Sequence, residues 1–320
     1  MSHDRVVRVI SRSTCLGVLG ALPLSGAAVG RASAQRAVLR VGSVPGDPFS
    51  EAYYAQDMGF FTKAGLDVEI TTFTNGAGSV TAIAGGAIDI GISTVAMMAS
   101  AAVHGVPLVY IAGGALYDDR TPSAALCVAK GSAIAGPSDF EGKAIAVSAI
   151  RDGTHLGAAA YLTTNGIDPG KVSFIEMPFP TMPPALKRGT IAGAMIAEPF
   201  LTANADDLHV FARAEGFVAP RYMTGGWFAL QTWVDANRDL ARRFTAVIYQ
   251  TARWANANRA RSGEILEKYA KVDPATLARM TRTPYAENLT PAMIDASLQW
   301  ASRLKFTDRL VSAKEMIATL

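Results

Sequence analysis

The stretch GGAIDIGIST, residues 85–94, is repeated in plan by RGTIAGAMIA, residues 188–197. Each follows a short apolar helical pattern (VTAIA, PPALK), then runs glycine, one residue, isoleucine and a small-residue strand ending at a turn. A chain that writes helix–glycine–strand twice is confined to folds in which strands alternate with helices, the α/β class. Two α/β lobes built in the same order would produce the echo. So would helix-ending glycines that each precede a strand, an arrangement common in α/β proteins.

The rest of the chain extends the alternation. AVLRVGS (37–43) and LDVEITTF (66–73) alternate apolar and polar residues and predict strands. Between them VPGDPF is a loop, and SEAYYAQDMGFFTKAG a helix that Ser50 could cap. TNGAGS feeds a helix, IDIGIST is a strand, VAMMASAAVHG a helix and PLVYIAG a strand. The pattern resumes with strands in SAALCVAK, AIAVS, VSFIEMP and IAGAMIA, separated by the helices after RDGTHL and in PTMPPALKRG. Beyond TGGWFALQT (224–232) the chain turns mostly helical, and Thr290–Pro291 reads as an N-cap and first helical position. At 320 residues, half of them apolar, the chain can bury a large core in about two domains.

Residues 1–34 read as an export signal. Arg5, Arg8 and Arg12 precede the short apolar run CLGVLGALPLSGAAV, and ASA at Ala32–Ala34 supplies small residues for cleavage before Gln35. The run is shorter than a membrane span of about 20 residues and contains Pro23. Ser13 stands where a twin-arginine signal has its second arginine, so both the Sec and a degenerate Tat route stay open. Taking away four of 30 basic and one of 27 acidic residues with this segment leaves 26 of each, a neutral chain with no basic stripe for nucleic acid. Cys127 is then a lone cysteine, expected to be buried and inert. His104, His155 and His209 show no metal-ligand spacing, so neither a metal nor another cofactor is expected.

YYAQDMGFFTKAGLDVEI, AIAGGAIDIGIST, HGVPLVYIA and DFEGKAIAVS, with YLTTNGIDPGKVSFIEMPFPTMPPALKRGTIAGAMIAEPF, together resemble the periplasmic solute-binding proteins of ABC importers. The branch resembled includes sulfonate, taurine, nitrate and thiamine-pyrimidine-precursor binding proteins, over roughly residues 38–310. The resemblance implies a two-lobed, class II binding fold with mixed sheets flanked by helices. Lobe I would be 35–124 plus 225–320 and lobe II 125–224, hinged on the crossover strands SAALCVAK and GGWFALQT. It also implies a periplasmic, monomeric receptor that carries a small anionic or zwitterionic solute to a membrane permease. A receptor for a sensor system is an alternative. A pyrimidine-precursor synthase-like enzyme is disfavoured, because that relative carries a cysteine cluster which one mature cysteine cannot supply, and no GxSxG spacing is present.

Helix N-termini offer unpaired N–H groups and about half a positive charge, which suits a carboxylate, sulfonate or nitrate. Four loops could deliver such ends to a cleft: Ser43 to Phe49, Asn75–Gly76 within TNGAGS, Ser93–Thr94, and Arg151 to His155 with Thr154. TNGAGS lacks a dinucleotide fingerprint, since Thr81 occupies its third glycine position. Ser93, Thr94 and Thr154 serve equally well as plain helix caps, Arg151 as a solvated rim charge and His155 as a helix-surface residue. Glu198, before Pro199, reads as a helix-start acid. By resemblance it faces the inner cleft and accepts from a ligand amine or ring N–H. Gly225 and Gly226 suit a hinge or close backbone approach, and Trp227 is either core or ligand contact.

Overall fold

A computed structural model describes residues 38–320, so the export signal expected at residues 1–34 lies outside the described residues. Twelve strands are defined in this part: β1 (Leu39–Ser43), β2 (Val68–Thr72), β3 (Gly91–Thr94), β4 (Leu108–Gly113), β5 (Leu116–Asp118), β6 (Ala124–Ala129), β7 (Ala144–Val147), β8 (Ser173–Glu176), β9 (Gly193–Ala197), β10 (Leu208–Ala212), β11 (Arg221–Met223) and β12 (Gly225–Leu230). β12 lies antiparallel between β3 and β4, and β1 pairs parallel with β2. A parallel bridge from Val41 to Ile90 joins the two groups, giving the order β2-β1-β3-β12-β4. The second sheet runs β8-β7-β9-β6-β10.

These two orders are the same plan. β1 and β7 each lie between two parallel partners, and the third strand of each sheet pairs antiparallel with a strand from elsewhere in the chain, β12 or β6. β3 and β9, the strands of the sequence echo, therefore hold equivalent places. Their resemblance also has a local cause. Gly86 and Gly189 sit at φ +71° and +70°, where a side chain is strained. Gly86 N–H bonds to Ile83 O and Ala87 N–H to Ala82 O. Gly189 and Thr190 repeat this with Leu186 and Ala185. Both are Schellman endings, and the same pair of bonds recurs at Gly65, Gly105 and Gly166.

The strands are apolar along their length because both faces of each sheet are covered. In the second sheet Leu126, Val128, Ile145 and Met195 enter one cluster, while Ala125, Cys127, Ala146 and Ile196 enter the other. Cys127 is a buried free thiol whose pKa burial pushes up to about 12. In the first sheet Ile92, Ile111 and Trp227 pack against Phe244 and Ile248 of the long helix Arg238–Ala257.

The chain passes between the sheets through residues 114–123 and 213–224, which pair with each other as β5 and β11. Several local expectations are corrected. The helix after Ser50 divides into Glu51–Asp57 and Phe60–Lys63 at Gly59, which has a positive φ. Ser50 occupies the cap position, but its hydroxyl donates back to Gly46 O. Pro291, rather than Thr290, caps the helix Ala292–Arg303. No described helix is long and apolar enough to cross a membrane.

Candidate functional site

The N-termini of three helices converge on one cavity of about 330 Å³ between the sheets. The helix Gly76–Ala84 begins where TNGAGS turns, and Asn75 Oδ1 caps it by accepting from Gly78 N–H at 3.2 Å. Val95–Val103 is capped by Thr94, which accepts from Met97 N–H at 3.4 Å. Gly153–Thr164 is capped by Asp152, which accepts from His155 N–H at 2.9 Å.

The caps also tie the two sides of the cavity together. Asn75 Nδ2 donates to Ser148 O at 3.1 Å, and Gly153 N–H donates to Thr94 Oγ1 at 3.1 Å. Gly76 is required by packing, since a Cβ there would lie 2.7 Å from Ser93 Oγ and 3.0 Å from Ser93 Cα. Ser93 Oγ is fully buried, lines the cavity and has no hydrogen-bond partner among the described residues. It is an orphan hydroxyl beside a helix N-terminus, a place suited to a ligand oxygen.

Of the residues singled out from sequence, the structure brings Phe49, Asn75, Gly76, Ser93, Thr94, Thr154 and Glu198 to the cavity wall. Thr94 is a helix cap as well. Thr154 instead accepts from Ser148 N–H at 2.9 Å and donates to Asp152 at 2.7 Å. Ser43, Arg151, Gly226 and Trp227 lie outside the lining. Ser43 is buried behind it and donates to Phe49 O at 2.7 Å, holding the Phe49 loop in place. Arg151 is exposed at φ +65°, a rim charge. Gly226 is an inner strand position opposite Ser93 and Gly113. Trp227 is core, packed 5.4 Å from the ring of Phe244, with its indole N–H donating to Glu51 at 2.8 Å. His155 is not a helix-surface residue. It is buried between Phe174 and Phe306, and burial, helped by Arg151, pushes its pKa down to about 4.

Glu198 performs the helix-start role expected of it: its carboxylate accepts from Thr202 N–H at 3.0 Å and Thr202 Oγ1 at 2.7 Å. It also accepts from Thr281 N–H across the cavity at 3.4 Å. Burial raises its pKa despite these bonds. Sequence reasoning missed Asp152 and Glu215, which also line the cavity. Asp152 was legible as the Asx before a helix-starting Gly-Thr. Glu215 lies in a short 3₁₀ turn, Ala214–Phe217, that no motif announces. Burial, then nearby Asp152, pushes the Glu215 pKa up to about 7.

Most of the remaining wall is apolar, with Phe73, Phe179 and Phe200 beside Pro45, Pro48, Pro178 and Pro180, and hydroxyl groups of Thr72, Thr74, Ser123, Thr224 and Thr283 complete it. No Lys, Arg or His is among the described residues that line it. An anion would therefore be met by helix ends and hydroxyls alone. No group of three or more potential metal-ligating side chains is present among the described residues.

A model of the family described as NMT1/THI5 like matches residues 48–261. The taurine-binding periplasmic protein of Escherichia coli (strain K12) is 33% identical over 202 residues, which are 62% of this chain and 58% of that relative's length. The crystal structure of the periplasmic aliphatic sulphonate binding protein of Escherichia coli superposes with a TM-score of 0.72 at 18% identity, covering 88% of this chain and 97% of that one. A ligand-binding component of an ABC-type import system from Staphylococcus aureus gives 0.76 at 16% identity, covering 88% and 96%. At such identities the likeness is one of fold, the α/β periplasmic binding-protein fold with mixed sheets.

Proposed function

Because the chain belongs to the NMT1/THI5-like family, we propose that it is an exported, monomeric solute receptor that holds a small organic molecule between two hinged lobes and delivers it, unchanged, to an ABC permease. The lobes are 35–124 with 225–320, and 125–224. Their hinge, expected at the strands SAALCVAK and GGWFALQT, is proposed instead at the connections just before those strands, which carry β5 and β11. The observation that carries this reading is the cavity itself: it is enclosed between two sheets of one plan and bounded by three helix N-termini. Its volume falls at the lower end of small-molecule sites, which run from about 300 Å³ upward. The relative named for taurine and the structural neighbour named for sulphonates support an acidic group on the solute.

In this reading the solute's sulfonate or carboxylate lies against Gly76, Ala77 and the Ser93 hydroxyl, with Thr94 and Thr154 nearby. Phe49 covers the organic part, and Glu198 accepts from a solute N–H with the lone pairs that Thr202 leaves free. The export signal read in residues 1–34 supports a periplasmic receptor.

Calorimetric titration with alkyl and aryl sulfonates, carboxylates and pyrimidines tests the reading, with analysis of the recovered solute. We expect one site per chain and unaltered solute. Turnover of a bound compound, or no binding across the panel, would overturn it. Gly76→Ala is expected to lower affinity for acidic solutes at least tenfold, because the new methyl group must displace Ser93 where two backbone N–H groups receive the ligand. Unchanged affinity in that variant would remove the helix end from the site.

A further inference from the structure

Three carboxyl groups line the cavity, and they are not equivalent. Asp152 is fully engaged: it accepts from His155 N–H, the Thr154 hydroxyl and the Ser148 hydroxyl. Glu198 is held by Thr202 and Thr281. Glu215 is 92% buried, yet among the described residues no group donates a hydrogen bond to its carboxyl group. Its side chain lines the cavity.

Its position is also built rather than incidental. The turn that carries it is closed by Val218 N–H donating to Glu215 O at 3.0 Å and Gly216 N–H to Arg213 O at 3.1 Å. That turn lies directly on the helix Gly153–Thr164 at Gly157, where an added Cβ would meet Glu215 Cγ at 3.2 Å and its backbone N at 3.4 Å. The missing side chain at Gly157 lets the carboxyl group lie close along the helix that opens onto the cavity. A buried acid that lines a cavity and has no donor is costly unless a guest supplies one.

We propose that Glu215 is the specificity-determining residue of the cavity: it receives a nitrogen-borne donor of the solute, an ammonium or amidinium group, so that amine-bearing solutes with an apolar or aromatic body are selected over bare anions of equal size. This rests on the receptor reading above and narrows its solute class from anionic or zwitterionic to zwitterionic. The rest of the wall agrees. With Asp152 and Glu198 already present and no basic side chain among the described lining residues, a guest that brings only negative charge adds repulsion, whereas an ammonium group pairs with the open carboxylate. Phe49, Phe179 and Phe200 favour a body that is flat and apolar.

Matched pairs differing only by an amine test this: benzoate with 4-(aminomethyl)benzoate, benzenesulfonate with 4-(aminomethyl)benzenesulfonate, and ethanesulfonate with 2-aminoethanesulfonate. Each is titrated calorimetrically into the wild type, Glu215→Gln and Glu198→Gln at low salt, with circular dichroism and urea midpoints to check folding. The aminated member should bind at least tenfold more tightly in one or more pairs. Glu215→Gln should remove most of that preference by weakening the aminated member, with the amine-free partner bound at least as tightly as before, and should remove more of it than Glu198→Gln does. Equal affinities within every pair in the wild type would overturn the proposal without any variant. Loss of both members alike in a folded Glu215→Gln protein would also overturn it, yet leave the receptor reading standing. Binding of no member of any pair would overturn the receptor reading, and this inference with it.

Discussion

Replacing Arg282 by methionine is expected to destabilise the protein by about 3–5 kcal/mol, the cost of leaving a buried charge without its partner. Asp47 is fully buried and its carboxylate accepts from Arg282 Nε at 2.8 Å, Thr283 N–H at 2.6 Å and Tyr54 Oη at 3.3 Å. Arg282 in turn donates to Arg259 O, Tyr54 Oη and Ser262 Oγ, so each of its three nitrogens is used. Methionine preserves the volume but strands the carboxylate. The exposed pair Arg40–Asp89 is a control: Arg40 is 44% exposed, and Arg40→Met should cost about 1 kcal/mol or less. Urea denaturation of both variants measures the contrast. Asp47→Asn together with Arg282→Met should recover much of the loss, because no unpaired charge remains. A cost of Arg282→Met no larger than that of Arg40→Met would show that the buried pair contributes no more than an exposed one.

The location of this pair ties stability to the site. Asp47 belongs to the loop between β1 and Glu51 that brings Pro45, Pro48 and Phe49 to the cavity. The neighbouring residues Thr281 and Thr283 reach the opposite side, at Glu198 and Ser123. A single segment, 281–283, thus bonds to both walls, and weakening it should loosen the Phe49 loop as well as the fold.

How much of this was legible in the sequence differs by the range of the interaction responsible. Gly86 and Gly189 mark local events, so the helix ends and the strands after them could be read directly. The pairing of Thr94 with Gly153, or of Asn75 with Ser148, joins residues far apart in the chain. Their site role could be inferred only from cap chemistry, which happens to use the same side chains. Trp227 shows the opposite case. A tryptophan beside two glycines at a crossover suits a ligand platform as well as a core, and only its indole N–H bond to Glu51 decides between them. β10, β11 and the helix Gln231–Ala236 escaped because LHVFA, RYM and QTWVDA are short and weakly periodic. Glu215 left no signal because its meaning depends on Gly157, a contact made by tertiary packing.

Glu51 should make the protein lose stability as the pH rises from 5 to 8, contrary to what paired surface carboxylates do. The residue is fully buried at the start of the helix Glu51–Asp57. Its Oε2 accepts from Trp227 at 2.8 Å and its Oε1 has no partner among the described residues. Burial pushes its pKa up to about 8, and the Trp227 bond offsets only part of that rise. Below about pH 4 the group is protonated in both folded and unfolded chains and contributes no pH dependence. Between its unfolded and folded pKa values the unfolded chain has released a proton that the folded chain retains. Each pH unit in that window therefore removes about 1 kcal/mol of stability, and above about 8 the loss is complete. Glu215, raised to about 7, acts with the same sign up to that pH, so the window from 7 to 8 belongs mainly to Glu51. Glu51→Gln keeps the shape and an acceptor for Trp227 but cannot ionise. Its urea stability should be flatter across this range and should exceed that of the wild type at pH 8 by a few kcal/mol. Parallel pH profiles for the two proteins would mean that Glu51 stays ionised in the core, supported by a donor beyond Trp227.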